Sequence, residues 1–145
     1  RSPADFETGY RHVALHGARL GEEEWFAAGR FAFTRGDGER SRARIRELLE
    51  KRVATQPLNL PNAGSVFRNP PGDHAARLVE AAGLKGRAIG GARISEKHAN
   101  FIVNPKGGGS AADIEALIAH ARAVVLERFG VPLMPEVRIV GEPAA

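Results

Sequence analysis

The sequence predicts an α+β fold, a small sheet with packed helices. Two observations point there. Helix-like and strand-like segments follow one another without strict alternation, in the order strand, helix, irregular loop, helix, strands, helix, strand, which argues against a doubly wound sheet. Three segments also carry apolar residues at helical spacing, a stripe that becomes stable when another layer covers it.

Taken in order, residues 1–21 read as irregular, because Pro3, Gly9, Gly17 and Gly21 interrupt any periodic run. Phe31 and Phe33 alternate around Ala32, so a strand is expected over 24–34, ending near Thr34. Gly36, Asp37 and Gly38 make a turn. A helix over 39–53 follows, with Ile45, Leu48, Leu49 and Val53 on the face expected to tie it to a core. Pro57 and Pro61 bound a stretch that cannot be regular helix, and it leads into a loop over 62–72. Asp73 is expected to cap a helix whose stripe is Ala75, Leu78, Val79 and Ala82, with Gly83 ending it in a left-handed conformation.

Residues 87–94 suggest a strand with a bulge or close backbone approach at Gly90 and Gly91. Residues 99–104 read as a strand with a buried face, and Gly107 to Gly109 as a flexible loop. Ser110 opens the longest helix, with Asp113 near its positive end and Ile114, Leu117, Ile118, Ala121, Val125 and Phe129 as its stripe. Gly130 and Pro132 stop it. A last short strand is expected over 136–141, with Val137 and Ile139 on one side and Arg138 on the other.

Composition narrows the classes. Hydrophobic residues make up 43% and charged residues 26% of the 145, which suits a soluble globular chain and neither a disordered nor a fibrous one. The absence of cysteine excludes a disulfide framework and a thiolate metal site. No apolar run has the length of a membrane span and no leader pattern opens the chain, so a cytoplasmic protein is expected. The net charge is +4. Between Arg35 and Arg52, the cations Arg40, Arg42, Arg44, Arg46 and Lys51 are interleaved with Asp37, Glu39, Glu47 and Glu50. Without aromatic stacking residues, that pattern reads as a solvated helix face, and no nucleic-acid partner is expected. The chain opens on Arg1 and reaches Phe6, Gly9, Tyr10 and Arg11 within a few residues, so it is expected to begin partway through a larger protein.

One loop stands out chemically. In 62–70, Gly64 frees the backbone before Ser65, Arg68 and Asn69 bring a cation and an amide, and Pro70 and Pro71 stiffen the exit. Such a loop can hold a hydroxyl fixed and exposed, although a plain surface turn uses the same residue types. It is not a nucleophile elbow, since G-x-S-x-G is absent around Ser65. His12, His16, His74, His98 and His120 form no zinc-like spacing, and no metal site is expected. The Gly107 loop lacks a P-loop lysine, and no dinucleotide fingerprint occurs anywhere. Glu136 follows Pro135 at the start of the last expected strand, where a carboxyl is either under tight control or simply an edge charge.

Three separated motifs resemble one family. Tyr10-Arg11 within FETGYR is similar to the Y-R motif of the UDP-N-acetylenolpyruvoylglucosamine reductases. Gln56-Pro57 through NAGSVFRNP is similar to their G-S-x-F-[KR]-N-P signature, and PEVRIVG, 135–141, resembles their P-E-V-R segment. GLKG at 83–86, IGGA at 89–92 and KHANFIVN at 97–104 also look like the family, in the branch without a long insertion after the serine loop.

The resemblance implies a specific chemistry. Members reduce UDP-N-acetylglucosamine enolpyruvate to UDP-N-acetylmuramate for peptidoglycan synthesis, using FAD and NADPH. It implies that Ser65 is the proton donor, that Arg11 and Glu136 are its catalytic companions, and that Tyr10, Arg68, Asn69 and His98 lie on the substrate side. It implies further that residues 1–54 end the FAD-binding domain and 55–145 form the C-terminal substrate-binding domain. The flavin's phosphate-binding motifs lie upstream in the family and are missing here, which leaves a non-catalytic UDP-sugar-binding fragment as the alternative. A serine is a weak acid, useful only against a strongly basic carbon. An ionised carboxylate beside a developing anion is unfavourable, so Glu136 is expected to carry a proton in the complex.

Overall fold

The computed structural model describes residues 1–141. They form two compact units, one from Arg1 to Asp37 and one from Gly38 onward.

In the first unit the irregular reading of residues 1–21 is corrected. A 3-10 turn at Pro3–Asp5 leads into β1 (Phe6–Gly9), which pairs antiparallel with β2 (His12–Leu15), Phe6 opposite Leu15 and Gly9 opposite His12. Gly9 therefore does not break a strand but ends one, and Tyr10-Arg11 is the two-residue turn between them. The Phe6 ring stacks on Phe26 at 5.4 Å. The strand expected over 24–34 does not form. Residues 25–37 carry no helix or strand, and Phe31 and Phe33 stay exposed. Side-chain alternation favours an extended chain, but a strand persists only where a neighbour satisfies its backbone.

The second unit begins with α1 (Gly38–Thr55), close to the expected helix. Its stripe is not buried. Ile45, Leu48, Leu49 and Val53 are each about half exposed, so they do not tie the helix to a core. Its helicity rests on local terms: good helix formers throughout and an Arg44–Glu47 ion pair at 2.7 Å. Near its C-terminus the Lys97 ammonium donates to the Val53 carbonyl at 2.6 Å.

Three short antiparallel strands follow, β3 (Ala88–Ile89), β4 (Ala92–Ile94) and β5 (Ile102–Val103), in the order β3-β4-β5. The single strand expected over 87–94 is thus a hairpin with Gly90-Gly91 as its turn, and the alternative expected there, a close backbone approach, is what the glycines make. A Cβ at Gly91 would lie 2.3 Å from the Gly108 carbonyl carbon, so the hairpin tip and the glycine loop touch backbone to backbone. That contact overturns the flexible loop expected at 107–109. Asn104 fixes it further, its side chain accepting from the Gly109 amide at 3.0 Å and donating to the Gly109 carbonyl at 2.9 Å.

Two helices pack behind the sheet, α3 (Ala111–Phe129) against β3 and β4, and α2 (Ala75–Ala81) against α3. The structure is α+β, as the element order predicts. Ser110 and Asp113 close a reciprocal capping box on α3, and Gly130 ends it at φ 68°. Leu78, Val79, Ile94, Leu117, Val125 and Leu133 fill the core at almost no exposure. Asp73 does not cap α2. Its carboxylate accepts from the His74 amide and pairs with Arg77, which holds it well below the usual range, at about 2. The Asn69 side chain takes the cap instead, accepting from the Ala75 amide at 3.1 Å. The last expected strand, 136–141, is absent. The chain there makes an isolated bridge between Phe67 and Pro135, and a proline cannot extend a ladder by donating.

Candidate active site

The Ser65 loop is held by three asparagine side chains. Before the serine, Asn62 donates to the Leu60 carbonyl at 2.7 Å and accepts from the Gly64 amide at 2.9 Å, an Asx turn that sets Gly64 at φ 84°. After it, Asn69 caps α2. Across from it, Asn100 grips Phe67 at both ends of its peptide unit: Oδ1 accepts from the Phe67 amide at 2.9 Å and Nδ2 donates to the Phe67 carbonyl at 2.8 Å. The Asn100 carbonyl also accepts from the Val66 amide at 2.9 Å.

The other edge of the same segment belongs to the C-terminal stretch. The Arg68 amide donates to the Met134 carbonyl at 2.9 Å, and the Glu136 amide donates to the Val66 carbonyl at 2.7 Å. Val66 and Phe67 are buried, anchoring the segment in the core, while Ser65 beside them is half-buried. Ser65 and Glu136, 71 positions apart in the chain (136 − 65), therefore stand on adjacent backbone segments. The Arg68 guanidinium reaches the Glu136 carboxylate at 3.9 Å, with both side chains partly exposed. Arg68, Asn69 and Met134 also line a cavity of about 590 Å3 with Gly72 and Val131.

Tyr10 and Arg11 occupy the hairpin turn of the first unit. Arg11 takes φ 56°, a left-handed conformation that costs a non-glycine residue on the order of 1 kcal/mol. Its guanidinium lies 5.9 Å from the Tyr10 ring centre.

His98 sits half-buried, edge-on to Phe101 at 4.9 Å. Its Nδ1 accepts from the Asn100 amide at 3.3 Å, which assigns the proton of the neutral ring to Nε2. Burial pushes its pKa below the usual 6.5; a hydrogen bond to its own backbone opposes this, Lys85 lowers it a little further and Glu80 raises it. The sign for stability follows. Above pH 6.5 both folded and unfolded states are neutral; as the pH falls, the unfolded chain takes up a proton first and stability is lost. The melting temperature is expected to fall as the pH drops from about 7 to about 5, and less steeply in His98→Gln. An unchanged slope in that variant would discount the burial of His98.

The start of α3 does not suit a flavin diphosphate. The glycine loop does lead to the N-terminus of α3, where amides could meet phosphate. The Asp113 carboxylate already accepts there from the Ser110 amide at 2.8 Å, adding negative charge to the position a phosphate would take. Among the described residues, no three His, Cys, Asp or Glu cluster as metal ligands, and no helix is long and apolar enough to cross a membrane.

Reading the sequence alone misses Asn62 and Asn100 as parts of this site. Asn100 had a signal. It lies between Ala99 and Phe101 in an apolar run, where a buried amide must find partners.

Comparison with known proteins matches the same region. The profile of the UDP-N-acetylenolpyruvoylglucosamine reductase C-terminal domain matches residues 56–140. The reductase of that name from Thiobacillus denitrificans is 61% identical over 142 residues, covering 98% of this chain and 43% of the relative. The one from Methylococcus capsulatus is 57% identical over 145 residues, covering 100% of this chain and 46% of the relative. The chain thus spans less than half the length of these curated relatives. The crystal structure of the Thermus caldophilus enzyme superposes with a TM-score of 0.58 at 39% identity, covering 69% of this chain and 34% of that one.

Proposed function

The chain belongs to the UDP-N-acetylenolpyruvoylglucosamine reductase family, and from that membership we propose that it provides the substrate-binding and proton-donating side of the reductase reaction in peptidoglycan precursor synthesis. The observation that carries this reading is the amide of Glu136 bonded to the carbonyl of the residue after Ser65, which puts a hydroxyl and a carboxyl on neighbouring segments.

The reaction adds hydride to the vinyl carbon of UDP-N-acetylglucosamine enolpyruvate and a proton to the carbon beside its carboxylate. Reduced FAD, recharged by NADPH, is the expected hydride source, and its phosphate-binding residues are expected outside this stretch. The residues here serve the proton. In this reading Ser65 delivers it to the strongly basic carbon, and water returns one to the resulting alkoxide. Arg11 offers a bidentate fork to the substrate carboxylate, with a charge that does not titrate away. Glu136 donates a hydrogen bond to the developing anion. Tyr10, Arg68, Asn69 and the Nε2–H of His98 meet the UDP-sugar. With its Oδ1 engaged by the Ala75 amide, Asn69 presents Nδ2 to the ligand. We place the division between the flavin side and the substrate side after residue 54, in a cytoplasmic protein; the family profile beginning at residue 56 supports it.

Calorimetric titration of the chain with UDP-N-acetylglucosamine enolpyruvate tests the reading. Saturable binding is expected, weakened about tenfold or more in Arg68→Ala, the loss of one charge-assisted contact. No binding, or binding indifferent to Arg68, would sink it. The colour of the purified chain separates the two forms of the proposal. A colourless chain that binds the UDP-sugar is the fragment without its own FAD site.

A further inference from the structure

We propose that Asn100 is the positioning residue of the proton donor: its buried carboxamide, clamped on Phe67, fixes the direction in which Ser65 presents its hydroxyl. The inference rests on Ser65 as donor, and goes beyond it by assigning a role to a residue that touches no reacting atom.

The geometry carries it. Asn100 is 4% exposed, and Phe67, which it grips, is 3% exposed. One carboxamide satisfies both the donor and the acceptor of Phe67, at 2.9 and 2.8 Å, and the Asn100 carbonyl takes the Val66 amide. Three hydrogen bonds from one residue therefore fix the two residues that follow Ser65. They lie in a dry environment, where a lost partner leaves a buried peptide group unsatisfied. The Val66 carbonyl is left to receive Glu136 on the other edge. Asn100 thus sets the segment that both candidate groups share. Upstream, the Gly64 amide at φ 84° donates to the Asn62 side chain in a local turn, and that turn is tied to β5 through a bridge between Asn62 and Val103. Among these ties, the one made by a buried side chain to the residues directly after Ser65 comes from Asn100, 35 positions downstream of it (100 − 65).

No smaller residue reproduces the clamp. Asn100→Ala leaves both polar groups of Phe67 unpaired. Asn100→Asp preserves size and the acceptor, but replaces the donor with a second acceptor facing the Phe67 carbonyl. A displacement of the hydroxyl of about 1 Å is enough to cost on the order of 100-fold in a positioned reaction.

A double-mutant cycle with Ser65 separates positioning from general support of the fold. On the full-length, flavin-loaded enzyme carrying this sequence, Asn100→Ala is expected to lower kcat by about 10- to 100-fold with little change in KM. In the Ser65→Ala background the same change is expected to cost much less, because there is no hydroxyl left to aim and only the shared contact with Glu136 remains to be disturbed. Equal losses in both backgrounds would make Asn100 a structural residue and overturn the inference. A fully active Ser65→Ala enzyme would overturn the donor reading itself, so the two failures are distinct. Where Asn100→Ala does not fold, Asn100→Asp carries the same cycle. Amide exchange gives a second readout: Phe67 N–H should lose protection in Asn100→Ala, which removes its acceptor, and protection equal to that of the parent counts against the clamp.

Discussion

Ser65→Ala is expected to lower turnover of UDP-N-acetylglucosamine enolpyruvate by about 10²- to 10⁴-fold, the usual worth of a positioned proton donor. Flavin reduction by NADPH, measured in the same preparation without the UDP-sugar, should be untouched, since that half of the cycle needs no proton from Ser65. Calorimetric binding of the UDP-sugar to the isolated chain should also survive, because the change deletes a single oxygen from a loop held elsewhere. The three asparagine clamps all reach backbone atoms outside Ser65, so the loop keeps its path when the hydroxyl goes. That independence makes the test clean. A slow first half-reaction equal to the second, or a loss of binding, would point to a collapsed loop or to a different donor.

The helices of this fold are legible in the sequence because their signals are local. Leu78 and Val79 in α2, and Ser110 through Gly130 around α3, encode period, cap and stop within a few turns. The strands are not legible in the same way, because pairing is a property of two segments. Gly9 reads as an interruption until Phe6 is seen opposite Leu15, and Gly90-Gly91 reads as a bulge until Ala88 is seen opposite Arg93. The same limit explains the phenylalanines at 31 and 33, which have the alternation of a strand without its ladder. It also explains α1, whose stripe at Ile45, Leu48, Leu49 and Val53 is periodic yet exposed. Periodicity states which face a helix would bury and says nothing of whether a layer lies against it.

The site divides along the same line. Ser65, Arg68, Asn69 and Glu136 stand out from their neighbours and from the family's motifs. Their meeting depends on contacts between segments far apart in the chain, through Asn100 on one edge and Met134 to Glu136 on the other. Spacing does not encode those contacts. Asn69 adds a further lesson. Its side-chain oxygen begins a helix, so the residue links the loop's shape to α2.

Glu136→Gln and Glu136→Ala should differ sharply, by about 10²- to 10³-fold in turnover for alanine against about tenfold or less for glutamine. Two unit charges of one sign at about 4 Å repel by about 4 kcal/mol at the screening typical of a partly exposed site. An ionised Glu136 beside the developing anion would therefore oppose the reaction it serves. Arg68 does not cancel that term: at 3.9 Å, with its side chain 59% exposed, it forms a solvent-screened pair worth at most about 1 kcal/mol. In the proposed reading the carboxyl enters the complex with its proton and donates a hydrogen bond. Glutamine keeps a donor at nearly the same place, since the Glu136 amide stays bonded to the Val66 carbonyl whatever the side chain. Alanine keeps the backbone and loses the donor. Turnover and single-turnover oxidation of the reduced flavin by the UDP-sugar, measured on both variants, decide the matter. A glutamine variant as crippled as the alanine one would mean that the negative charge itself is needed, and Arg68 would then be the residue that makes it tolerable.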